Sequence, residues 1–302
     1  MNDIVIRAGS FIGIIILGYF LKKIVFFKEE DFTILSRITI RITLPATIVT
    51  SFAGKTIDPS MLSLTFLAIL CGVIYILFGY CMNRKTSREQ QAFEMLNLPG
   101  YNIGTFVIPF AQSFLGPLGV IAVSLFDTGN AVICLGGAYS LASMVKDGSG
   151  FSIKRILSAL MKSVPFVFYI TMLCLNLSRV PIPDFIVSFA STIGGANAFM
   201  AMLMIGVGFK LGGDKTQIKT IVKLLSVRYG LALIFALIFY FALPFPLEVR
   251  QALVILAVSP IGSAVPAFTG ELKGDVGLSS ALNSIAMVIS ITITVILLFV
   301  ML

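Results

Sequence analysis

Stretches of about 20 apolar residues, separated by short polar segments, recur along the chain. Ten such runs are Ile4–Leu21, Phe32–Phe52, Met61–Met82, Gln90–Leu115, Leu118–Val145, Ile156–Leu177, Phe185–Leu211, Leu224–Leu243, Val249–Leu272 and Leu278–Met301. A helix needs roughly 20 apolar residues to cross the hydrocarbon core of a bilayer. A barrel strand would be about half as long and would alternate polar and apolar residues. The pattern therefore predicts an all-α polytopic membrane protein with ten transmembrane helices.

The composition excludes soluble classes of protein. Of 302 residues, 58% are hydrophobic and 12% are charged, whereas a soluble domain carries about 25% charged residues. A soluble enzyme and a nucleic-acid binder are therefore excluded despite the net charge of +8. The chain has no His, and its four Cys residues form no CxxC pair. Imidazole metal sites and a Ser-His triad are thus ruled out, and we expect no metal and no cofactor.

Lys and Arg in the predicted loops fall mainly on one side of the membrane, fourteen against three. The richer side holds Lys22, Lys23, Lys28, Arg84, Lys85, Arg88, Lys146, Lys154, Arg155, Lys210, Lys215, Lys219, Lys223 and Lys273, and the poorer side holds Lys55, Arg179 and Arg250. Loops rich in Lys and Arg stay in the cytoplasm. We therefore predict a multi-pass protein of the cell (plasma) membrane with both termini extracytoplasmic. We place Arg7 and Arg228 at the membrane interface.

Two of the predicted spans, the fourth and the ninth, are interrupted by Pro and Gly. Proline removes an amide donor and glycine adds backbone freedom, so we expect both helices to break in mid-membrane. The predicted break residues are Pro99, Gly100, Pro109, Pro260, Gly262 and Pro266. A simple proline kink is the alternative for either break taken alone.

The interrupted spans hold corresponding positions in two halves of the chain. The loop Lys146–Lys154 leaves five predicted spans on each side. Because five is odd, the second half must be inverted relative to the first. Residues 1–146 and 152–302 are thus predicted to form two inverted five-helix repeats, with helices 4 and 9 crossing at the midplane. Inverted repeats with discontinuous helices are typical of secondary transporters.

Polar residues within the spans are the candidate site. Asp127 lies about ten residues into the fifth span, where a charge is costly and is therefore a functional candidate. It is our candidate for binding a coupling ion or a substrate; the alternative is that it holds loose backbone at the break. Asn102 can bind a carboxylate or cap the following half-helix. Gly104, Asn130 and Ser263 complete the candidate substrate-binding residues.

Three other polar residues within spans have simpler interpretations. Asn197 and Asn283 are expected to form hydrogen bonds between helices. Glu94 precedes the first break, and we expect it to form an ion pair with a basic residue.

The sequence around these residues resembles the auxin efflux carrier family in its short prokaryotic form. The fourth helix of that family carries the pattern N-x-G-x-x-G-x-P, and residues 102–109 match it except that Val107 replaces the second Gly. Similar stretches are LPATIVTSF around Pro45, FDTGNAV in the fifth span, MAMLMIGVGFKL in the seventh and SPIGSAVPAF in the ninth. The resemblance extends over essentially the whole chain.

The resemblance implies a fold like that of the sodium/bile-acid symporters. In that fold helices 1, 2, 6 and 7 form a scaffold domain, which can also form a homodimer, and helices 3–5 and 8–10 form a mobile crossover domain. Family members carry auxin in plants and organic anions in prokaryotes. Plant members have an acidic residue in the third span, whereas Phe66–Leu77 holds no charge. That element is missing here or displaced to Asp127.

We therefore expect a secondary active transporter of a small organic anion, such as an auxin-like or other carboxylate. It would work by alternating access through an elevator movement, with a proton or sodium as the coupling ion. An ion channel and a sodium-coupled symporter of similar fold are the alternatives. An intramembrane enzyme is disfavoured because the sequence shows no catalytic pair and no metal-ligand set.

Overall fold

A computed structural model describes residues 2–28, 30–82, 87–209 and 217–302, and every regular element in these segments is a helix. Seven of the described helices are long and apolar enough to cross a membrane, or eight if one bent pair is a single span. The predicted all-α membrane protein is confirmed at this level. Helices overlap all ten predicted ranges, but the ten-span inverted repeat stays a prediction.

The described helices are numbered in chain order. They are α1 (Asn2–Lys23), α2 (Asp31–Phe52), α3 (Pro59–Met82), α4 (Arg88–Asn97), α5 (103–115), α6 (116–147), α7 (Ile153–Lys162), α8 (Val164–Leu177), α9 (Asp184–Gly208), α10 (Ile218–Phe241), α11 (Leu247–Ala257), α12 (Val265–Glu271) and α13 (Val276–Met301). The predicted loop residues Arg84, Lys85, Lys210 and Lys215 lie outside the described residues.

The sixth predicted span is not one straight helix. α7 and α8 meet at an angle of 82° around Ser163, so two helices occupy the predicted range Ile156–Leu177, and together they count as one span if the bent pair crosses the membrane. Ser163 has extended backbone, and its hydroxyl caps α8 by accepting from the Phe166 N–H. Pro165 follows in the first turn of α8, a position that proline suits, while the same ring would disrupt a continuing helix.

The fourth and ninth predicted spans are each divided into two helices. The first break, 98–102, separates α4 from α5, and the second, 258–264, separates α11 from α12. The breaks are in contact, because the Asn102 N–H donates to the Pro260 carbonyl oxygen at 3.0 Å. Two predicted break residues lie in helices instead: Pro266 lies in the first turn of α12, and Pro109 lies within α5. It follows a π-helical turn at Ile103–Val107, whose wider hydrogen-bond spacing accommodates a residue without an N–H.

The helices assigned to the scaffold pack closely on one another. A Cβ at Gly206 in α9 would lie 2.1 Å from the Ile15 carbonyl oxygen in α1, so only glycine permits this approach. Between α2 and α9, the Thr43 hydroxyl donates to Asn197 Oδ1 at 2.9 Å, as expected for an interhelical Asn. The division into scaffold and crossover domains stays a prediction.

Contacts between helix ends group the loops into two sets. In the Lys-rich set, Lys22 Nζ donates to the Phe209 carbonyl at 3.0 Å and Lys146 Nζ to the Leu272 carbonyl at 2.7 Å. In the other set, Asn176 Nδ2 donates to the Lys55 carbonyl. These pairings agree with the predicted alternation of the spans, and which side faces the cytoplasm stays a prediction.

Candidate functional site

A buried arginine joins the two helix breaks. Arg228 in α10 is 1% exposed, and its guanidinium donates to carbonyl oxygens from both breaks. Nη1 donates to Leu98 at 2.5 Å, and Nη2 donates to Gly100 at 2.9 Å, Ser259 at 3.0 Å and Pro260 at 3.1 Å. The two segments are therefore held together by one cationic side chain as well as by their own backbone hydrogen bond.

The predicted interfacial position of Arg228 is wrong. We expected the eighth span to begin at Leu224, but α10 begins at Ile218, which makes Arg228 the eleventh of its 24 residues. The same shift places Lys219 and Lys223 in the first two turns of α10 rather than in a loop. The signal that sequence reasoning missed was that Lys219, Lys223 and Arg228 are separated by apolar residues and fit within one helix.

Two tyrosine rings complete the surroundings of Arg228. Its Cζ lies 5.5 Å from the centre of the Tyr75 ring and 5.6 Å from that of Tyr101, within the range of cation–π attraction. The Tyr75 hydroxyl also donates to the Arg228 backbone carbonyl at 3.0 Å. The side chain is thus held in one position by α3, by the first break and by the second break.

A cavity of about 370 Å³ extends from the breaks to the Lys-rich ends of α1 and α9. Its volume falls in the usual range of small-molecule sites. Its polar lining side chains are Lys22, Asn102, Ser263, Ser280, Asn283 and Ser284. Phe32, Met204 and Met287 are among the apolar ones, and none of the described lining residues is Asp or Glu. We call this the break cavity.

Asp127 lines a second pocket, of about 200 Å³, that Asn102 and Ser263 also line. We call this the Asp127 pocket. The carboxylate accepts from Asn130 Nδ2 at 2.8 Å and from the Tyr169 hydroxyl at 2.9 Å. Tyr169 belongs to α8, one of the predicted scaffold helices, and sequence reasoning did not identify it. The structure thus brings all five predicted substrate-binding residues around one small pocket: Asn102, Gly104, Asp127, Asn130 and Ser263.

Asn130 holds the first break in place. Its Oδ1 accepts from the Tyr101 N–H at 3.0 Å, and its Nδ2 donates to the Tyr101 carbonyl at 3.1 Å as well as to Asp127. Unwound backbone in a membrane needs such partners. Asp127 is therefore connected to the break through Asn130. The alternative considered from the sequence was that Asp127 itself holds loose backbone at the break, and in the structure it does so indirectly.

Asn102 and its glycine neighbours have distinct roles. The Asn102 side chain makes no capping bond to the α5 backbone, and its Oδ1 accepts from the Thr105 hydroxyl at 2.5 Å. Gly104 allows α5 to approach α2, because a Cβ there would lie 2.8 Å from Leu44 Cδ2. Gly100 has φ +85°, a conformation that glycine adopts without strain.

Glu94 is paired, as the sequence analysis expected. It is completely buried, and its Oε1 accepts from Lys223 Nζ at 3.3 Å and from Gln90 Nε2 at 3.1 Å. Asn283 Nδ2 contacts the Gly262 carbonyl at 3.5 Å while lining the break cavity. A further polar cluster, which we did not predict, joins α4 to α12 and α13: Asn97 Oδ1 accepts from the Ser279 hydroxyl at 2.6 Å.

The model of a family described as membrane transport protein matches residues 10–149. This segment contains α2 to α6, and therefore the first break, Asn102, Asp127 and Asn130. No curated protein matches the chain. The match covers slightly less than half of the chain and agrees with the resemblance found in the sequence, so residues 10–149 are similar to a family of membrane transport proteins.

Proposed function

We propose that this membrane transport protein is a secondary active transporter of a small organic anion that works by alternating access. The observation that carries the proposal is the break cavity. It ends at Asn102 and Ser263, which belong to two interrupted helices, and it begins near Lys22 at the ends of α1 and α9. Binding at interrupted helices followed by movement of one domain is how many secondary transporters work.

The electrostatics of the break cavity favour an anion. α5 begins at its wall, next to Asn102, and the N-terminus of a helix carries about half a positive elementary charge. Lys22 adds a full positive charge at the other end of the cavity. The described lining residues include no carboxylate to oppose these groups. A carboxylate bound between Asn102 and Ser263 would meet amide, hydroxyl and backbone donors.

The apolar part of the lining favours a monocarboxylate with an apolar body over a small dicarboxylate. Phe32, Met204 and Met287 supply the apolar surface. A second carboxylate is best held by a bidentate Arg, but the guanidinium of Arg228 is already engaged by break carbonyls. The substrate class that we propose is therefore an aromatic or branched monocarboxylate, auxin-like in its chemistry.

Asp127 is the proposed coupling site, for a proton or for sodium. It lies beside the break, and Tyr169 connects it to α8, which is assigned to the scaffold domain in our proposal. A change in the charge of Asp127 would therefore alter a contact between the two domains. Gln112 of α5 makes a second such contact, because its Nε2 donates to the Gly194 carbonyl of α9 at 3.0 Å.

The orientation proposed from the Lys and Arg distribution opens the break cavity towards the cytoplasm. In the elevator movement that we propose, the Gln112–Gly194 and Asp127–Tyr169 contacts are released as the crossover domain moves. A homodimer through the scaffold helices is proposed by resemblance alone.

Purified protein in proteoliposomes tests the transport function. Counterflow of a labelled monocarboxylate, such as indole-3-acetate or benzoate, should be saturable and should be competed by the unlabelled compound. Malonate should compete less well. The same compounds should raise the melting temperature of the detergent-solubilised protein, because ligands stabilise the state they bind. Flux that does not saturate would indicate a channel and would contradict the proposal.

A further inference from the structure

We propose that Arg228 is a built-in cation of the helix crossing, which occupies the carbonyl cluster where a transporter with interrupted helices could otherwise hold a free metal ion. On this view neither sodium nor another metal ion binds among the break carbonyls, and transport does not require sodium at this position. The consequence for transport rests on the proposed function, whereas the occupation of the carbonyl cluster by Arg228 does not.

The positive charge of Arg228 matches the partial negative charges of the helix ends that it faces. α4 and α11 both end at the crossing, and each helix C-terminus carries about half a negative elementary charge. The two ends together amount to about one negative charge, which the single positive charge of Arg228 balances. Among the described residues, the ion pairs found do not include Arg228. Its charge is thus directed at backbone carbonyls.

The carbonyl oxygens around Arg228 are also arranged in a way that suits a cation. Unwound carbonyls that converge from two half-helices are the ligands that a hard cation takes in proteins. Here the carbonyls of Leu98, Gly100, Ser259 and Pro260 all accept from guanidinium N–H groups at 2.5 to 3.1 Å. The acceptors that would coordinate an ion are therefore already occupied, and by a group that cannot dissociate into solvent.

The N-terminus of α5 and the residues before α12 face the break cavity, where Asn102 and Ser263 lie. Because Arg228 balances the carbonyl ends, an anion in the cavity need not be accompanied by a metal ion. Asp127 accepts from the side chains of Asn130 and Tyr169 and is not part of this carbonyl cluster, so it remains available as the coupling site.

Chemical rescue of Arg228→Ala is the experiment that tests the proposal. Ethylguanidinium contains the atoms that this substitution removes. The melting temperatures of purified wild type, Arg228→Ala and Arg250→Ala are measured in choline chloride with and without millimolar ethylguanidinium, and again in sodium chloride at equal ionic strength. Arg250 is the matched control, because its Nη1 donates to a helix-terminal carbonyl, that of Tyr240, away from the breaks.

We expect the melting temperature of wild type to be the same in sodium and choline, and that of Arg228→Ala to fall. Ethylguanidinium should restore most of the loss in Arg228→Ala, sodium should restore part of it, and Arg250→Ala should respond to neither. If Arg228→Ala does not fold, Arg228→Lys keeps the charge with fewer donors and should become sensitive to sodium.

Two results would overturn the proposal. The first is stabilisation of wild type by sodium that persists unchanged in the Arg228 variants. The second is a lower melting temperature of Arg228→Ala and Arg228→Lys that none of the added cations raises. Carboxylate transport is measured separately, in proteoliposomes without sodium. Absence of carboxylate transport in all media would contradict the proposed function while leaving the rescue result intact.

Discussion

The backbone N–H of Asn102 and the carbonyl oxygen of Pro260 form a hydrogen bond of 3.0 Å across the crossing of two interrupted helices. The same Pro260 oxygen accepts from Arg228 at 3.1 Å. Asn102 is thus fixed in position by the second half of the chain, although its side chain faces the break cavity.

Asn102→Ala should weaken binding of a monocarboxylate by about ten- to a hundredfold. A hydrogen bond to a charged group contributes ~1.5–3 kcal/mol, and each 1.4 kcal/mol is about tenfold in affinity. The backbone bond to Pro260 is retained in this variant, so the fold should persist. Dissociation constants from ligand-dependent melting shifts measure the effect. The control is Asn176→Ala, at the end of the molecule that is poorer in Lys and Arg. Unchanged affinity for the monocarboxylate in Asn102→Ala would show that Asn102 is not part of the binding site.

Asp127→Asn should abolish transport or uncouple it from the ion gradient. The substitution keeps the size of the side chain and can still bond Asn130 and Tyr169, but it removes the charge that a coupling ion would bind. Uptake into proteoliposomes across a range of pH measures the effect. Tyr169→Phe is the control that removes one hydrogen bond and leaves the carboxylate. Wild-type rates with the usual pH dependence in Asp127→Asn would exclude a coupling role.

Lys223→Met should destabilise the protein more than Glu94→Gln does. Glu94 is completely buried whereas the Lys223 side chain is 41% exposed, and a charge left alone in a buried position is costly. Removing Lys223 leaves the Glu94 carboxylate without its cationic partner, while Glu94→Gln leaves a lysine that can reach water. Melting temperatures of the two variants and of the double variant provide the comparison. The opposite ranking would contradict the dependence of buried Glu94 on its pairing with Lys223.

Gly206→Ala should separate α1 from α9 and destabilise the protein by ~1–3 kcal/mol, the usual cost of overpacking. The new Cβ would meet the Ile15 carbonyl oxygen at 2.1 Å, and this backbone atom cannot move alone. Gly13→Ala is the matched control in α1, since nothing lies within 4 Å of a Cβ at that position. Thermal unfolding in detergent compares the two, and equal stability would contradict the close packing of α1 on α9.

Several parts of the site could be predicted from local sequence. Pro99-Gly100 and Pro260 mark the two breaks because proline and glycine act on their own backbone. The position of Asp127 within a span follows from counting along an apolar run. The ion pair of Glu94 was predicted without its partner, because a buried carboxylate needs a cation but the sequence does not show which one is near.

Other parts could not be predicted in this way. Tyr169 and Lys22 reach the two pockets from helices that are distant in sequence from the breaks. The interfacial assignment of Arg228 was wrong because a hydropathy run ends where charges begin, whereas α10 continues through Lys223 and Lys219 to Ile218. The charges that define a loop in the sequence are paired or exposed in the structure, so the helix continues through them.

The sequence by itself determined the helical membrane class, the interruptions around Pro99-Gly100 and Pro260, and the scarcity of charge at depth. These follow from apolar run lengths and from the backbone chemistry of single residues, which act locally. Only the tertiary structure decided that the two interruptions touch, that Arg228 binds carbonyls from both, and that Asn102 lines a cavity reaching Lys22. Each of these is a contact between residues far apart in the chain, and packing of whole helices, rather than any local pattern, brings them within a few ångströms.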